Sequence, residues 1–258
     1  MTAPDRTGLV APELLYRDDR LCVVAKPSGM AVHRGWAVAE AYLVDHLRAL
    51  VDGAVVHPVH RLDQPTSGCV VVAFDADAAR HLGAQFAAHT VFKRYLALVR
   101  GPTEAALRLV DHAMVDADGP ADGPRRTART WIRGLTRGPG RYDLVEAVPL
   151  TGRTHQIRRH LKHLSWPIIG DVRYGKGEHN RLFRDQHGLY RLALHALDIA
   201  FDHPDDGRRV AVRAPLPDDL ARPLGHAGIP VEAALAATEI PLTYGPPEVT
   251  TDDAHPES

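Results

Sequence analysis

Residues 60–68, His60-Arg61-Leu62-Asp63-Gln64-Pro65-Thr66-Ser67-Gly68, place one carboxylate just ahead of a wholly apolar run, Cys69 to Phe74. Six consecutive apolar residues after a Gly read as a buried strand. The segment is therefore a loop that presents Asp63 at the mouth of that strand. Pro65 and Gly68 fix the loop, and the hydroxyls of Thr66 and Ser67 can bond back to the backbone. A carboxylate held this way can act as a nucleophile or as a base. It can equally cap a turn, and the segment alone leaves both open.

A second segment is Thr151-Gly152-Arg153-Thr154-His155-Gln156-Ile157-Arg158-Arg159-His160-Leu161. A helix capped by Thr154 and running to about Leu164, ahead of Pro167, gives an apolar stripe of Ile157, Leu161 and Leu164. Arg158 falls about 100° from Ile157, at the edge of the stripe. It can be half buried and aimed at a neighbouring carboxylate, keeping an Asp ionised and oriented through a bidentate pair. A surface salt bridge is the plain alternative. In a third segment, Phe92-Lys93-Arg94-Tyr95-Leu96-Ala97, alternation puts Tyr95, Ala97 and Val99 on one strand face, where Tyr95 packs in a core or stacks on a nucleobase.

Two metal-ligand groupings fail on geometry. His57, His60 and Asp63 lie around Pro58 in a strand-loop context, and on a helix His155 is 140° from His160. No metal is expected.

The elements that position these residues follow from periodicity. Leu14 to Ala25 reads as a hairpin turning at Asp18-Asp19, and Lys26-Pro27-Ser28-Gly29 as the loop that closes it. Val38 to Val51 has helical spacing. Asp75 can cap a helix carrying Ala79, Leu82 and Phe86. Leu144 to Val148 and Leu192 to Phe201 read as strands, and the Gly-, Pro- and Arg-rich stretch Gly101 to Pro139 as long loops around short strands. Strands and helices interleave without a regular βαβ rhythm, which predicts an α+β fold with a mostly antiparallel mixed sheet flanked by helices and loops. Residues 1–11 are expected to be flexible, 12–230 to form one folded domain, and 231–258 to be an acidic, disordered tail.

The chain has 258 residues and a net charge of −1, but the charge is segregated. From Val231 to Ser258 there are six acids and no Lys or Arg, while Gly123 to Arg141 holds six arginines and no acid. Arg153 to Arg184 holds eight Lys/Arg against two acids. Such stretches suit a phosphate backbone or a solvated surface. No apolar run approaches the ~20 residues of a membrane span, no signal peptide is evident, and two cysteines, Cys22 and Cys69, suit a reducing compartment. A cytoplasmic monomer without a membrane partner is expected.

Taken together, these segments resemble the RluA-like family of pseudouridine synthases. The likeness rests on His60 to Gly68, on Phe92 to Tyr95, and on Gly152 to Asp171, GRTHQIRRHLKHLSWPIIGD. It runs from about Leu14 to Pro204. Lys26 to Gly29, Val32-His33-Arg34-Gly35-Trp36, Arg158-Arg159 and Tyr174 to Leu194 look most like the TruC branch, the tRNA pseudouridine-65 synthases. The separate N-terminal RNA-binding domain of some relatives is expected to be absent.

The resemblance implies a cofactor-independent isomerase that turns uridine into pseudouridine in tRNA. It implies Asp63 as the catalytic carboxylate, Tyr95 as the ring stacking on the target uracil, and Arg158 as the partner of Asp63. Arg61 and Leu62 would help extrude the base, and Arg153, His155 and Gln156 would shape the pocket or touch the RNA backbone. The rival readings are the same chemistry on ribosomal RNA, a non-catalytic RNA-binding protein, and a hydrolytic nucleosidase.

Overall fold

The computed structural model describes residues 10–33, 42–51, 55–120 and 122–238. The first nine residues, Arg34, Gly35 and Trp36, the start of the helix expected from Val38, and the tail from 239 onward lie outside the described residues.

The core begins with the apolar run that the sequence marks. Strand β4 (Ser67–Ala73) is buried along its whole length. Its alternation feeds two different cores. Val70 and Val72 join a cluster with Leu43, Val44 and Leu47 of helix α1 (Leu43–Leu50). Cys69, Val71 and Ala73 join a cluster with Ala78 and Leu82 of helix α2 (Ala76–Ala87). A strand covered on both faces needs apolar residues at every position, which is why the run is continuous rather than alternating. Asp75 caps α2 as expected, accepting from Ala78 N at 2.8 Å.

Around β4, the hairpin of β1 (Glu13–Arg17) and β2 (Leu21–Lys26) pairs along one edge. The other edge is shared. Short β3 (His57–Pro58) pairs with its end, and β9 (Leu194–Asp202) pairs with its start, in parallel, at Ser67–His195 and Gly68–Ala196. The sheet then continues antiparallel through β5 (Phe92–Arg100), β8 (Tyr142–Pro149), β7 (Arg129–Arg137) and β6 (Arg108–Asp111), while β10 (Arg209–Arg213) pairs with β9. This is the α+β, mostly antiparallel mixed sheet expected. At the parallel junction Gly68 has φ +116°, and a Cβ there would lie 2.1 Å from Ala196 O. Only glycine lets β4 and β9 meet this closely.

A third cluster fills the other half, where β5, β8 and β9 pack with helices α3 (Gln156–His163), α4 (Gly177–His187) and α5 (Asp218–His226). Three expectations need correction. The Arg-rich stretch from Gly101 to Pro139 contains a nine-residue strand, β7, because Thr130 and Ile132 turn inward while Arg129, Trp131 and Arg133 alternate outward. Helix α3 begins at Gln156, two residues after Thr154, because His155 adopts a left-handed φ of +56°. The acidic segment opens with helix α6 (Val231–Ala236), which buries Ala234 in the third cluster, and Thr238 accepts from Arg213 at 3.1 Å.

Candidate active site

The Asp63 loop is fastened from behind. Gly29 N donates to Gln64 O at 2.9 Å, Ser28 Oγ to Pro65 O at 2.8 Å, and Thr66 N to Asp63 O at 3.0 Å. The Lys26 ammonium, buried at the end of β2, donates to the carbonyls of Pro27 and Met30 at 2.8 Å and of Gln64 at 3.3 Å. Burial pulls this lysine down to about 7. Ser67 does not bond back to its own loop. Its hydroxyl pairs with His195 Nδ1 at 2.8 Å and accepts from Arg191 at 2.6 Å, tying the loop to β9. Thr66 Oγ1 is buried without a hydrogen-bond partner among the described residues. His60 Nε2 accepts from Val71 N at 2.9 Å and its ring stacks on Phe86 at 4.5 Å, so it serves the loop. Burial holds it down to about 3.

Asp63 faces Arg158 across 95 positions of sequence, Nη1 to Oδ2 at 3.0 Å. The Arg158 side chain is 6% exposed and that of Asp63 20%, so the arginine is more deeply buried than its place at the stripe edge suggests. The reason is Asp171, which the sequence reading did not single out. Arg158 Nε and Nη2 donate to the two oxygens of Asp171 at 2.8 and 2.9 Å. The same carboxylate also accepts from Arg173 N and Tyr174 N at 2.9 Å. Burial opposes its charge, yet these donors hold the Asp171 carboxyl below its ordinary range. Burial likewise opposes the Arg158 charge, and the two carboxylates raise it regardless. Gly170, directly before Asp171, has φ +80° and lies against Arg191 O. That glycine was the available signal for an ordered carboxylate at 171.

His155 borders the same carboxylate. Its Nε2 lies 3.8 Å from Asp63 Oδ2, and Nδ1 shares a 3.1 Å hydrogen bond with Tyr174 OH. A left-handed φ in a non-glycine residue carries strain and clusters at functional sites. Burial, more than the opposing pull of Asp63, keeps this imidazole below its ordinary value. His160 and His163 do not join it. His160 bonds Thr130 at 2.8 Å and His163 stacks on His112.

These groups enclose a cavity of about 340 Å³, within the ~300–1,000 Å³ usual for small-molecule sites. Asp63, Tyr95, His155 and Arg158 all line it. Tyr95 packs at the junction of two of the hydrophobic clusters, and burial pushes its hydroxyl up, with the Asp63 charge adding to the effect. Arg61 is exposed at the mouth, whereas Leu62 is buried in the α1 cluster. Gln156 lines the wall, but its amide is saturated. It accepts from Thr151 Oγ1 and Arg153 N and donates to Arg129 O and Thr130 Oγ1, at 2.7–3.0 Å. Its hydrogen bonds latch α3 to β7 and leave none for a ligand. Lys93 lines the cavity too. It shares the strand face of Tyr95 two residues away, a placement that period-two alternation could have found.

Comparison with known proteins places this geometry in a family. The sequence pattern described as RNA pseudouridylate synthase matches residues 20–163. The tRNA pseudouridine synthase C of Vibrio cholerae serotype O1 is 38% identical over 223 residues, covering 79% of this chain and 91% of that protein. The one of Salmonella typhi is 39% identical over 228 residues, covering 79% and 85%. Among solved structures, human RNA pseudouridylate synthase domain containing 4 superposes with a TM-score of 0.68 at 25% identity, over 83% of this chain and 92% of that one. The chain belongs to the RNA pseudouridylate synthase family, and its relation to the proteins named tRNA pseudouridine synthase C places it in their branch.

Proposed function

We propose that this protein isomerises uridine to pseudouridine at position 65 of tRNA, with Asp63 as the group that starts the reaction. The observation that carries the reading is the Asp63 carboxylate held by Arg158 at 3.0 Å in a cavity walled by Tyr95. The relatives named tRNA pseudouridine synthase C support tRNA as the substrate.

In this reading the uracil is detached from ribose C1′, turned, and rejoined through C5. The atoms of substrate and product are the same, so the chemistry needs neither a redox partner nor an added group. Extruding the nucleotide costs a few kcal/mol. Stacking on Tyr95 returns about 1–3 kcal/mol, and contacts to the RNA backbone supply more. Arg158, itself fixed by Asp171, aims the Asp63 carboxylate at the sugar or the base. Arg61 at the mouth, with Arg153 and His155 inside it, meets the RNA.

Residues 12–230 are read as the catalytic domain, with α6 and the acidic segment following it. The same reading expects a monomer in the cytoplasm. No helix among the described residues is long and apolar enough to cross a membrane.

The test is to map pseudouridine in tRNA and in ribosomal RNA after incubation with the wild type and with Asp63→Ala. An Asp63-dependent mark at position 65 of a tRNA is the expected result, with RNA binding by the variant largely intact. A mark only in ribosomal RNA would keep the chemistry and replace the substrate. Full turnover by Asp63→Ala would remove Asp63 from the mechanism.

A further inference from the structure

The cavity around Asp63 is lined by more cations than the Asp63–Arg158 pair accounts for. Arg61, Lys93, Arg153 and Arg158 line it, and Asp63 is the one acid among its lining residues. Arg158 is committed to Asp63 and Asp171. The others form no ion pair among the described residues. Arg61 stands exposed at the rim, while Lys93 and Arg153 are partly buried.

Lys93 stands on β5 two residues before Tyr95, so the two side chains leave the same strand face roughly 7 Å apart. Its ammonium sits 5.9 Å from the Phe86 ring centroid, with no carboxylate and no hydrogen-bond partner among the described residues. Burial pulls it down to about 8. Arg153, from the turn before α3, donates Nε to Thr127 O at 3.1 Å. That bond holds the guanidinium in place and leaves its two terminal nitrogens without a partner among the described residues. His89 follows α2 at a left-handed φ of +59° and lines the same end of the cavity. Burial lowers its proton affinity, and the charges of Lys93 and Arg153 lower it further. Three elements therefore bring an imidazole and two cations without an ion pair among the described residues to one end of the pocket, beside the tyrosine.

Lys93, desolvated where it stands, gains most from an anion at this end of the pocket. A uracil ring carries no charge and gives it nothing to neutralise. A phosphodiester supplies a full negative charge on two free oxygens, which an arginine fork and a lysine point charge are both suited to grip. We propose that Lys93, Arg153 and His89 form a phosphate subsite that grips the RNA backbone next to the nucleotide stacked on Tyr95. This deepens the reading of the site as an RNA-modifying pocket and rests on it. The subsite fixes the extruded nucleotide at two points, ring and backbone, and so sets where C1′ lies relative to Asp63.

The experiment uses the full chain and target RNAs that carry a single uncharged methylphosphonate at each linkage flanking the target uridine in turn. Wild type, Lys93→Met and Lys93→Arg are compared by RNA binding across a salt series, with thermal unfolding as a check on folding. On unmodified RNA, Lys93→Met should weaken binding about tenfold and reduce the slope of log Kd against log[salt] by roughly 0.7–0.9, the loss of one phosphate contact. Lys93→Arg should restore most of both. At one linkage, the methylphosphonate should weaken the wild type and add little to the loss in Lys93→Met. Equal losses in wild type and Lys93→Met at every linkage, or an unchanged salt slope in a folded Lys93→Met, would overturn the subsite. An RNA that the wild type neither binds nor modifies would instead sink the substrate reading, and the subsite with it.

Discussion

Replacing Asp171 by asparagine tests the link between the fold and the Asp63 carboxylate. The Asp171 side chain is 1% exposed and that of Arg158 6%, so the ion pair is almost dry. Four N–H groups converge on the two Asp171 oxygens, from Arg158 Nε and Nη2, Arg173 N and Tyr174 N. Asparagine keeps the size but offers one oxygen, and its NH₂ must turn toward groups that only donate. At least one charge-assisted bond is lost, at about 1.5–3 kcal/mol. Arg158 is left with Asp63 as its only carboxylate, and removing one partner of a buried pair costs about 3–5 kcal/mol. Because asparagine keeps part of the network, we take about 3 kcal/mol, equivalent to a fall in Tm of roughly 6–12 °C for a domain of this size. Loss of aim at Asp63 should lower kcat by about 10- to 100-fold.

The pH dependence of this difference has a definite sign. The folded Asp171 carboxyl lies below its ordinary value, so its contribution is complete above the unfolded value of about 3.9 and is lost as pH falls through the folded one. The gap in Tm between wild type and Asp171→Asn should therefore be full near neutrality and close on acidification below about pH 4. Calorimetry at several pH values, with single-turnover pseudouridine formation, measures both halves. A variant within about 1 °C of the wild type, or a gap indifferent to pH, would refute the argument that Asp171 anchors Arg158 through its charge.

Two further substitutions probe the scaffold. Gly68→Ala forces a side chain to 2.1 Å from Ala196 O at φ +116°, a strain of about 1–3 kcal/mol from backbone conformation alone with the clash added. It should part β4 from β9, seen as a loss of soluble protein or a large fall in Tm, and an unchanged Tm would contradict the seam described here. Lys26→Met removes an ammonium that burial pulls from 10.5 to about 7. The fold favours the neutral amine, so the charge costs stability in full below about pH 7, and that cost fades as pH rises toward 10.5. The Tm of the wild type relative to Lys26→Met should accordingly rise between about pH 7 and 9, and a flat difference would place the Lys26 titration elsewhere.

Much of the site was legible because its residues sit on strong local signals. The run from Cys69 to Phe74 marks β4, Asp75 marks the start of α2, and alternation places Tyr95 on the inner face of β5. The pairing of Asp63 with Arg158 was expected from the resemblance to the RluA-like family, since no local periodicity can show a contact across 95 residues. What stayed hidden was non-local in the same way, or broke a local rule. In the sequence Asp171 is one acid in a basic stretch, and only the fold brings it onto Arg158. Gln156 looked like a polar helix residue free to meet a ligand, yet its four hydrogen bonds run to β7 and the turn before α3. His155 took the left-handed conformation that glycine usually fills, which moved the start of α3. Strand β7 lay under an arginine-rich sequence whose outward residues masked its alternation, and α5 accommodates Pro223 inside a helix.

The place of β9 in the sheet also sets an order of events during synthesis. It lies between β4 and β5, yet it is made long after both. A chain still growing toward Leu194 has those two strands with their facing edges open, the condition that invites mispairing and slows closure of a long-range sheet. Until β9 and the Arg191 turn just before it are made, Ser67 has neither His195 nor Arg191 to hold it, and the Asp63 loop lacks its anchor on that side. Translation products that end short of β9 should therefore be inert toward RNA and prone to aggregate, so that catalysis begins only once nearly the whole chain has been made.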